Sequence, residues 1–376
     1  MGGSRRDFLK YSTLAGIGLA AGPARADAPR VQTMPEHASA DPIGLKLAGY
    51  RYDHVQALID GRVQIPGCKV AFEQGKIGDL NTNVFAGPQS LDVTEIGLIP
   101  FILAYANDGF RDYSLLPVFP LRLFRHKSVF VHADRGIERP QDLKGRRVGT
   151  PGYSSTSLTW IRGFMQHEYG VAPSDIHWVV SAADSSAKVA GAASQQENVQ
   201  PEGITIEVGP AGKDESQLLL DGDVDALFHA AEPQAFTDGN PKIKRLFADP
   251  RAVERDYYAR TGIFPIMHAV AIRNTLIEAH PWLPSAVFDA YSAAKTSRYE
   301  AMRKGWLMET LPWFGQEFEE TRDLMGENFW PYGIGPNRTA LTAMLQYAQK
   351  QGLASRRLQI EDLVHPSTLA LAERSF

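Results

Sequence analysis

Three hydroxyl side chains in succession, Ser154, Ser155 and Thr156, follow Tyr153 and a Pro-Gly turn and open a helix-like segment. A helix starting there presents free N–H groups and the positive end of its dipole, which together bind a carboxylate. One hydroxyl would serve as an ordinary N-cap; three exceed that need. Arg122, Arg125 and His126 close a strand-like run beside Phe119 and Phe124. Arginine grips a carboxylate through two parallel hydrogen bonds, so this cluster is a second anion site, or else a surface ion-pair cluster. Arg162 lies two helical turns beyond Ser154, where it either reaches a ligand or braces the helix. His268 sits in an apolar strand, facing a cleft or packed in the core. Tyr52 and Asp53 follow the first strand, Glu95 ends the third, and Glu232 follows a later strand and His229. All four positions suit ligand contact. Their plainer roles are capping for Asp53, an ion pair within one lobe for Glu95, and solvent for Glu232.

Other chemistries lack a signature. There is no HExxH and no cysteine cluster, and His229 with Glu232 lies in a strand-and-turn context, so no metal is expected. A Gly-rich phosphate loop and a G-x-S-x-G elbow are missing. No cofactor is expected.

The elements that must position these residues alternate between strand and helix. Strands are expected at 45–48, 70–72, 91–95, 115–119, 128–131, 147–150, 178–180, 224–227, 243–247 and 265–272. Helices are expected at 54–59, 98–105, 154–169, 281–299, 301–309, 319–324 and 338–351, with a mobile Ala/Ser/Gln-rich loop over 181–202. Such alternation implies α/β architecture with parallel or mixed sheets. Small-molecule sites then fall between lobes, beyond the carboxyl ends of strands. The expected organisation is residues 45–132 plus 260–376 in one lobe and 133–259 in the other. The connections between them fall near Val129 and His268.

The N-terminus reads as an address. Ser4-Arg5-Arg6-Asp7-Phe8-Leu9-Lys10, an apolar stretch from Tyr11 to Ala21, and Ala24-Arg25-Ala26 form a twin-arginine export signal over residues 1–26. Residues 27–44 read as a flexible leader. The apolar stretch is shorter than the ~20 residues that span a bilayer. No cysteine stands beside the cleavage point, so no lipid anchor is expected, and the single Cys68 excludes an internal disulfide. The whole chain carries net charge −4; the first 26 residues contribute +3, leaving −7 on the remainder. A mildly acidic surface disfavours nucleic acid and anionic membranes as partners. The expected location is periplasmic.

Two sets of motifs carry a family resemblance. Asp142-Leu143-Lys144-Gly145-Arg146-Arg147-Val148-Gly149 and Leu220-Asp221-Gly222-Asp223-Val224-Asp225-Ala226 resemble second-lobe motifs of type II periplasmic binding proteins. Pro117 to His126, Trp160-Ile161-Arg162-Gly163, Thr261 to His268, and Pro331-Tyr332-Gly333 with Asn337-Arg338 resemble the 4,5-dihydroxyphthalate decarboxylase family, in order over about 45–365. That group mixes cytoplasmic decarboxylases with exported solute receptors, and the resemblance implies a two-lobed fold with a ligand cleft. Two functions follow. One is a periplasmic receptor that captures an aromatic or small carboxylate for a membrane permease of an ABC transporter, and the export signal favours it. The other is a decarboxylase of an aromatic dicarboxylate such as a dihydroxyphthalate, with His126 or His268 as the proton donor.

Overall fold

The computed structural model describes residues 41–305 and 309–374. The proposed signal and most of the leader lie outside them. Eleven strands are described: β1 (Ile43–Gly49), β2 (Cys68–Gln74), β3 (Val93–Gly97), β4 (Tyr113–Arg122), β5 (Val129–His132), β6 (Arg147–Thr150), β7 (His177–Val180), β8 (Ile206–Val208), β9 (Ala226–Phe228), β10 (Ile243–Arg245) and β11 (Ile266–Arg273). The helices that matter for the site are α1 (Ile77–Phe85), α2 (Leu98–Asn107), α3 (Thr156–Tyr169), α4 (Glu215–Asp221), α5 (Pro250–Thr261), α6 (Leu283–Lys304) and α7 (Arg338–Lys350).

The strands form two separate sheets. One has the order β2-β1-β3-β11-β4, the other β10-β5-β9-β6-β7-β8. In the first, β1 pairs parallel with β2 and β3, and β11 runs antiparallel between β3 and β4. In the second, β6, β7, β8 and β9 are mutually parallel, and β5 and β10 close one edge antiparallel. The chain leaves the first sheet after β4 and returns to it at β11. Each sheet anchors one lobe of a two-lobed α/β fold.

Burial explains the strand sequences. Val93, Ile96, Val118, Val270 and Ile272 have essentially no exposed surface, so central strands read as near-continuous apolar runs. Leu98 to Ala104 is buried throughout, which makes α2 an interior helix rather than an amphipathic one. The expected break near residue 300 does not occur. α6 is one 22-residue helix, held by Leu283, Val287, Phe288 and Tyr291 against the first sheet's core. The 181–202 segment carries a helical turn at Ala187–Ala190 and a 3-10 turn at Gln195–Asn198. Its end is tied down by Ser154, whose Oγ donates to Gln196 O at 2.8 Å and accepts from Val199 N at 2.9 Å. The C-terminal segment returns as a strap, with Glu373 accepting from Tyr332 N, Asn328 Nδ2 and Lys295 Nζ.

His126 is a packing residue, which corrects its expected place in the cleft. Its ring lies 4.1 Å from that of Phe164 and contacts Phe247 and Tyr257, and neither ring nitrogen has a hydrogen-bond partner. Burial, with a smaller contribution from Arg260, lowers its pKa from 6.5 to about 4. The unfolded chain therefore binds a proton near pH 6.5 and the folded protein only near pH 4. This stabilisation is complete above pH 6.5 and is lost as pH falls through about 4, at up to about 1.4 kcal/mol per pH unit. Urea unfolding between pH 4 and 7 should show this slope for wild type and a shallower one for His126→Phe. Equal slopes would rule out His126 as the source.

Candidate functional site

A cavity of about 340 Å³ lies between the lobes. Tyr50, Tyr52, Asn81, Arg125 and His268 line it from the first lobe, and Ser155, Thr156, Ser157 and His229 from the second. Part of its cover comes from Val189, Ala190, Ala193 and Glu197 of the 181–202 segment. That segment crosses to the first lobe, where Gln196 Nε2 donates to Asp108 Oδ2 at 2.8 Å. The approach is close enough to require glycine at 78, because a Cβ there would stand 2.0 Å from Ala192 O.

The two lobes meet through polar contacts at the cavity wall. Ile99 N, in the first turn of α2, donates to Thr156 Oγ1 at 3.0 Å, so two helix N-termini face each other across the cleft. Ser155 is the N-cap of α3 and accepts from Leu158 N at 3.4 Å. Arg125 donates from Nη1 to Ala230 O at 3.1 Å, and its Nε lies 3.3 Å from Met267 Sδ. Ser157 Oγ approaches the same sulfur at 3.6 Å. Arg125 and the α3 start therefore converge on Met267. Burial lowers the Arg125 pKa to about 10, opposed by Glu254, and it stays cationic at neutral pH. Asn81 adds a donor: its Oδ1 accepts from Gly97 N, and its buried Nδ2 has no partner. Donor groups from both lobes thus gather at this end of the cavity.

The other functional group is a carboxylate–imidazole pair. His268 on β11 places Nδ1 2.5 Å from Glu95 Oε1 on the neighbouring β3. Tyr52 Oη donates to the same oxygen at 2.7 Å and Tyr50 N to Oε2 at 2.8 Å. Glu95 is 3% exposed, so three donors compensate a buried carboxylate. Desolvation and the adjacent Glu95 push the Tyr52 phenol far above its usual pKa, which keeps it a donor. With Nδ1 committed to Glu95, Nε2 is the nitrogen left for a ligand. The Tyr50 ring stacks on the imidazole at 6.2 Å.

Several expected contacts lie elsewhere. Arg122 is buried between Phe119 and Phe264 and donates to Phe264 O, Pro331 O and Asn337 Oδ1, clamping the 331–337 segment. Arg162 braces α3: its Nε donates to Gln351 Oε1 at 2.8 Å and its guanidinium covers the Tyr153 ring at 3.8 Å. Tyr153 is consequently buried below the cavity wall, edge-on to Trp178. Asp53 pairs with His54 and Arg298, which lower its pKa to about 2. Glu232 pairs with Arg245 on the rim of the second lobe. Ser154 holds the 194–199 turn and is fully buried.

Tyr50, Asn81, Ser157, Met267 and His229 were not singled out as ligand contacts from the sequence. Tyr50 and His229 each follow a strand, a position that signals a cleft. Asn81 lies in α1, a helix the sequence reading missed, and carried no signal.

Two sheets enclosing a cleft at their strand ends define the type II periplasmic-binding-protein fold. The chain is similar to a putative periplasmic sulfonate-binding protein of a sulfonate ABC transporter from Methylobacillus flagellatus. The TM-score is 0.54 at 15% identity, covering 88% of this chain and 93% of that one. Residues 122–200 match the NMT1/THI5-like family model.

Within that fold the chain belongs to the 4,5-dihydroxyphthalate decarboxylase family. It is 37% identical over 326 residues to the 4,5-dihydroxyphthalate decarboxylase of Comamonas testosteroni, covering 86% of this chain and 97% of that protein. It is 32% identical over 216 residues to the enzyme of that name from Pseudomonas putida, covering 57% and 81%.

Proposed function

We propose that the cleft binds an aromatic carboxylate and that His268, turned by Glu95, protonates the ring carbon as carbon dioxide leaves. The observation that carries this reading is the Glu95–His268 pair, whose imidazole lines the cavity. A buried carboxylate that holds one imidazole nitrogen orients the ring and stabilises the imidazolium. Arg125, the α3 N-terminus and Asn81 would hold a retained carboxylate. The relatives' name suggests a dihydroxylated benzene dicarboxylate as substrate. In the step, the Nε2 proton passes to the carbon bearing the departing carboxylate. The bond to that carboxylate breaks, and its electron pair stays with the ring. A ring hydroxyl delocalises the charge that develops. The test is carbon dioxide release from 4,5-dihydroxyphthalate by the purified chain, alongside calorimetry with benzene carboxylates. Binding without any carbon dioxide release would refute the decarboxylase reading.

A specific observation favours a second reading. Arg5-Arg6 and the apolar residues after them read as an export signal, and the fold is that of solute receptors. On that reading the cleft closes on an aromatic carboxylate and delivers it unchanged to a membrane permease in the periplasm. No helix among the described residues is long and apolar enough to cross a membrane. Fractionation tests the address. An Arg5→Lys/Arg6→Lys chain should accumulate unprocessed in the cytoplasm, whereas wild type should appear in the periplasm beginning near Asp27. Undiminished export of the variant would exclude the twin-arginine route.

A further inference from the structure

Next to Ala230, which accepts from Arg125, the second lobe gathers a set of groups that the proposed chemistry does not use. His229 follows β9, Glu215 opens α4, and Asp184 lies in the segment after β7. All three stand at one end of the second sheet. One potential ligand atom from each lies within 4.8 Å of the others. His229 Nε2 is 3.4 Å from Asp184 Oδ1, and Nδ1 is 3.5 Å from Glu215 Oε1.

Two features separate this cluster from an ordinary ion pair. The His229 side chain is 1% exposed, yet neither ring nitrogen makes a well-formed hydrogen bond; each meets only a carboxylate oxygen, at 3.4 or 3.5 Å. A buried imidazole is normally satisfied. The carboxylates, by contrast, are oriented by other donors. Ser185 N and Oγ both donate to Glu215, which has no exposed surface. Ser186 N and Oγ both donate to Asp184 Oδ1 at 2.7 Å. Hydrogen bonds of this kind, which fix carboxylates around a buried imidazole, orient the ligands of metal sites.

We propose that Asp184, Glu215 and His229 bind a first-row divalent cation, of the Zn²⁺ or Mn²⁺ class, in the second-lobe wall of the cleft. One imidazole and two carboxylates suit such ions. Both Asp184 and His229 line the cavity, so a remaining coordination position opens toward the ligand. The sequence hid this site because its members are far apart along the chain. Spacing brought His229 only to Glu232, which instead pairs with Arg245.

The test is metal uptake, which is independent of turnover. Full-length protein stripped with a chelator is dialysed against zinc or manganese chloride, and bound metal is counted. Cobalt(II) absorption reports the coordination. The expected result is one equivalent bound by wild type, with affinity at least about tenfold lower in Asp184→Asn and His229→Gln. Asp184 is partly exposed, so Asp184→Asn preserves the fold and keeps the comparison valid if His229→Gln does not fold. Absence of stoichiometric uptake by wild type, or equal uptake by wild type and Asp184→Asn, overturns the proposal. His229 would then be an imidazolium that balances the two carboxylates itself.

Discussion

His268→Gln is expected to lower carbon dioxide release from 4,5-dihydroxyphthalate by about 10²- to 10⁴-fold, the usual worth of a positioned general acid. Affinity for a benzene carboxylate should stay within about a few-fold, because the proposed anion-binding groups are Arg125, Asn81 and the α3 start rather than the imidazole. Gln fills similar volume and can still donate to Glu95, so the strand pairing of β11 with β3 is retained. What it cannot do is give up a proton. Glu95→Gln should act through His268. It keeps the shape but removes the carboxylate that accepts from Nδ1 and fixes the ring, so turnover should fall while affinity for a benzene carboxylate stays within about a few-fold. Single-turnover carbon dioxide release and calorimetry on the same preparations supply both numbers. Turnover of His268→Gln close to wild type would end the assignment. If turnover is absent in wild type as well, while binding persists, the cleft is a receptor's.

The sequence carried the fold further than the site. Apolar runs at β3, β4 and β11 showed buried strands, and the motif order pointed to two lobes. Side-chain direction was less legible. Arg122 ends β4 and Arg125 stands three residues beyond it, and both are more than nine-tenths buried. One turns inward to carbonyls of the 331–337 segment, and the other turns to Ala230 across the cleft. That choice depends on Pro331 and Asn337, some two hundred residues away, so no local pattern encodes it. From the sequence Arg162 either reaches a ligand or braces its helix, and its packing on Tyr153 makes it the brace. Their mutual packing is a tertiary outcome that spacing does not show. By pattern Glu95 ends one strand and His268 sits within another, but only sheet order, with β11 inserted beside β3, makes them a pair.

Arg125→Ala should weaken binding of a benzene carboxylate by roughly 10- to 100-fold, about 1.5 to 3 kcal/mol, through loss of a charge-assisted hydrogen bond. The residue has two duties, and the prediction must separate them. Its Nη1 reaches Ala230 O in the opposite lobe, so truncation also removes a contact that favours closure. Arg125→Lys keeps a cation on a flexible stem but loses the planar fork. If charge on the ligand is what Arg125 serves, Lys should recover part of the affinity for carboxylates, and the gain should fade at high salt. If closure alone matters, Lys should behave like Ala, and an uncharged ring amide should suffer as much as the acid. Ser155→Ala is the contrast. Its Oγ is spent on Leu158 N, so its loss should cost about 1 kcal/mol of stability while affinity barely changes. Calorimetry with an acid and its amide, for wild type and the three variants, resolves these outcomes. An unchanged Kd for Arg125→Ala would remove Arg125 from the site and leave the α3 N-terminus and Asn81 as the anion-binding groups.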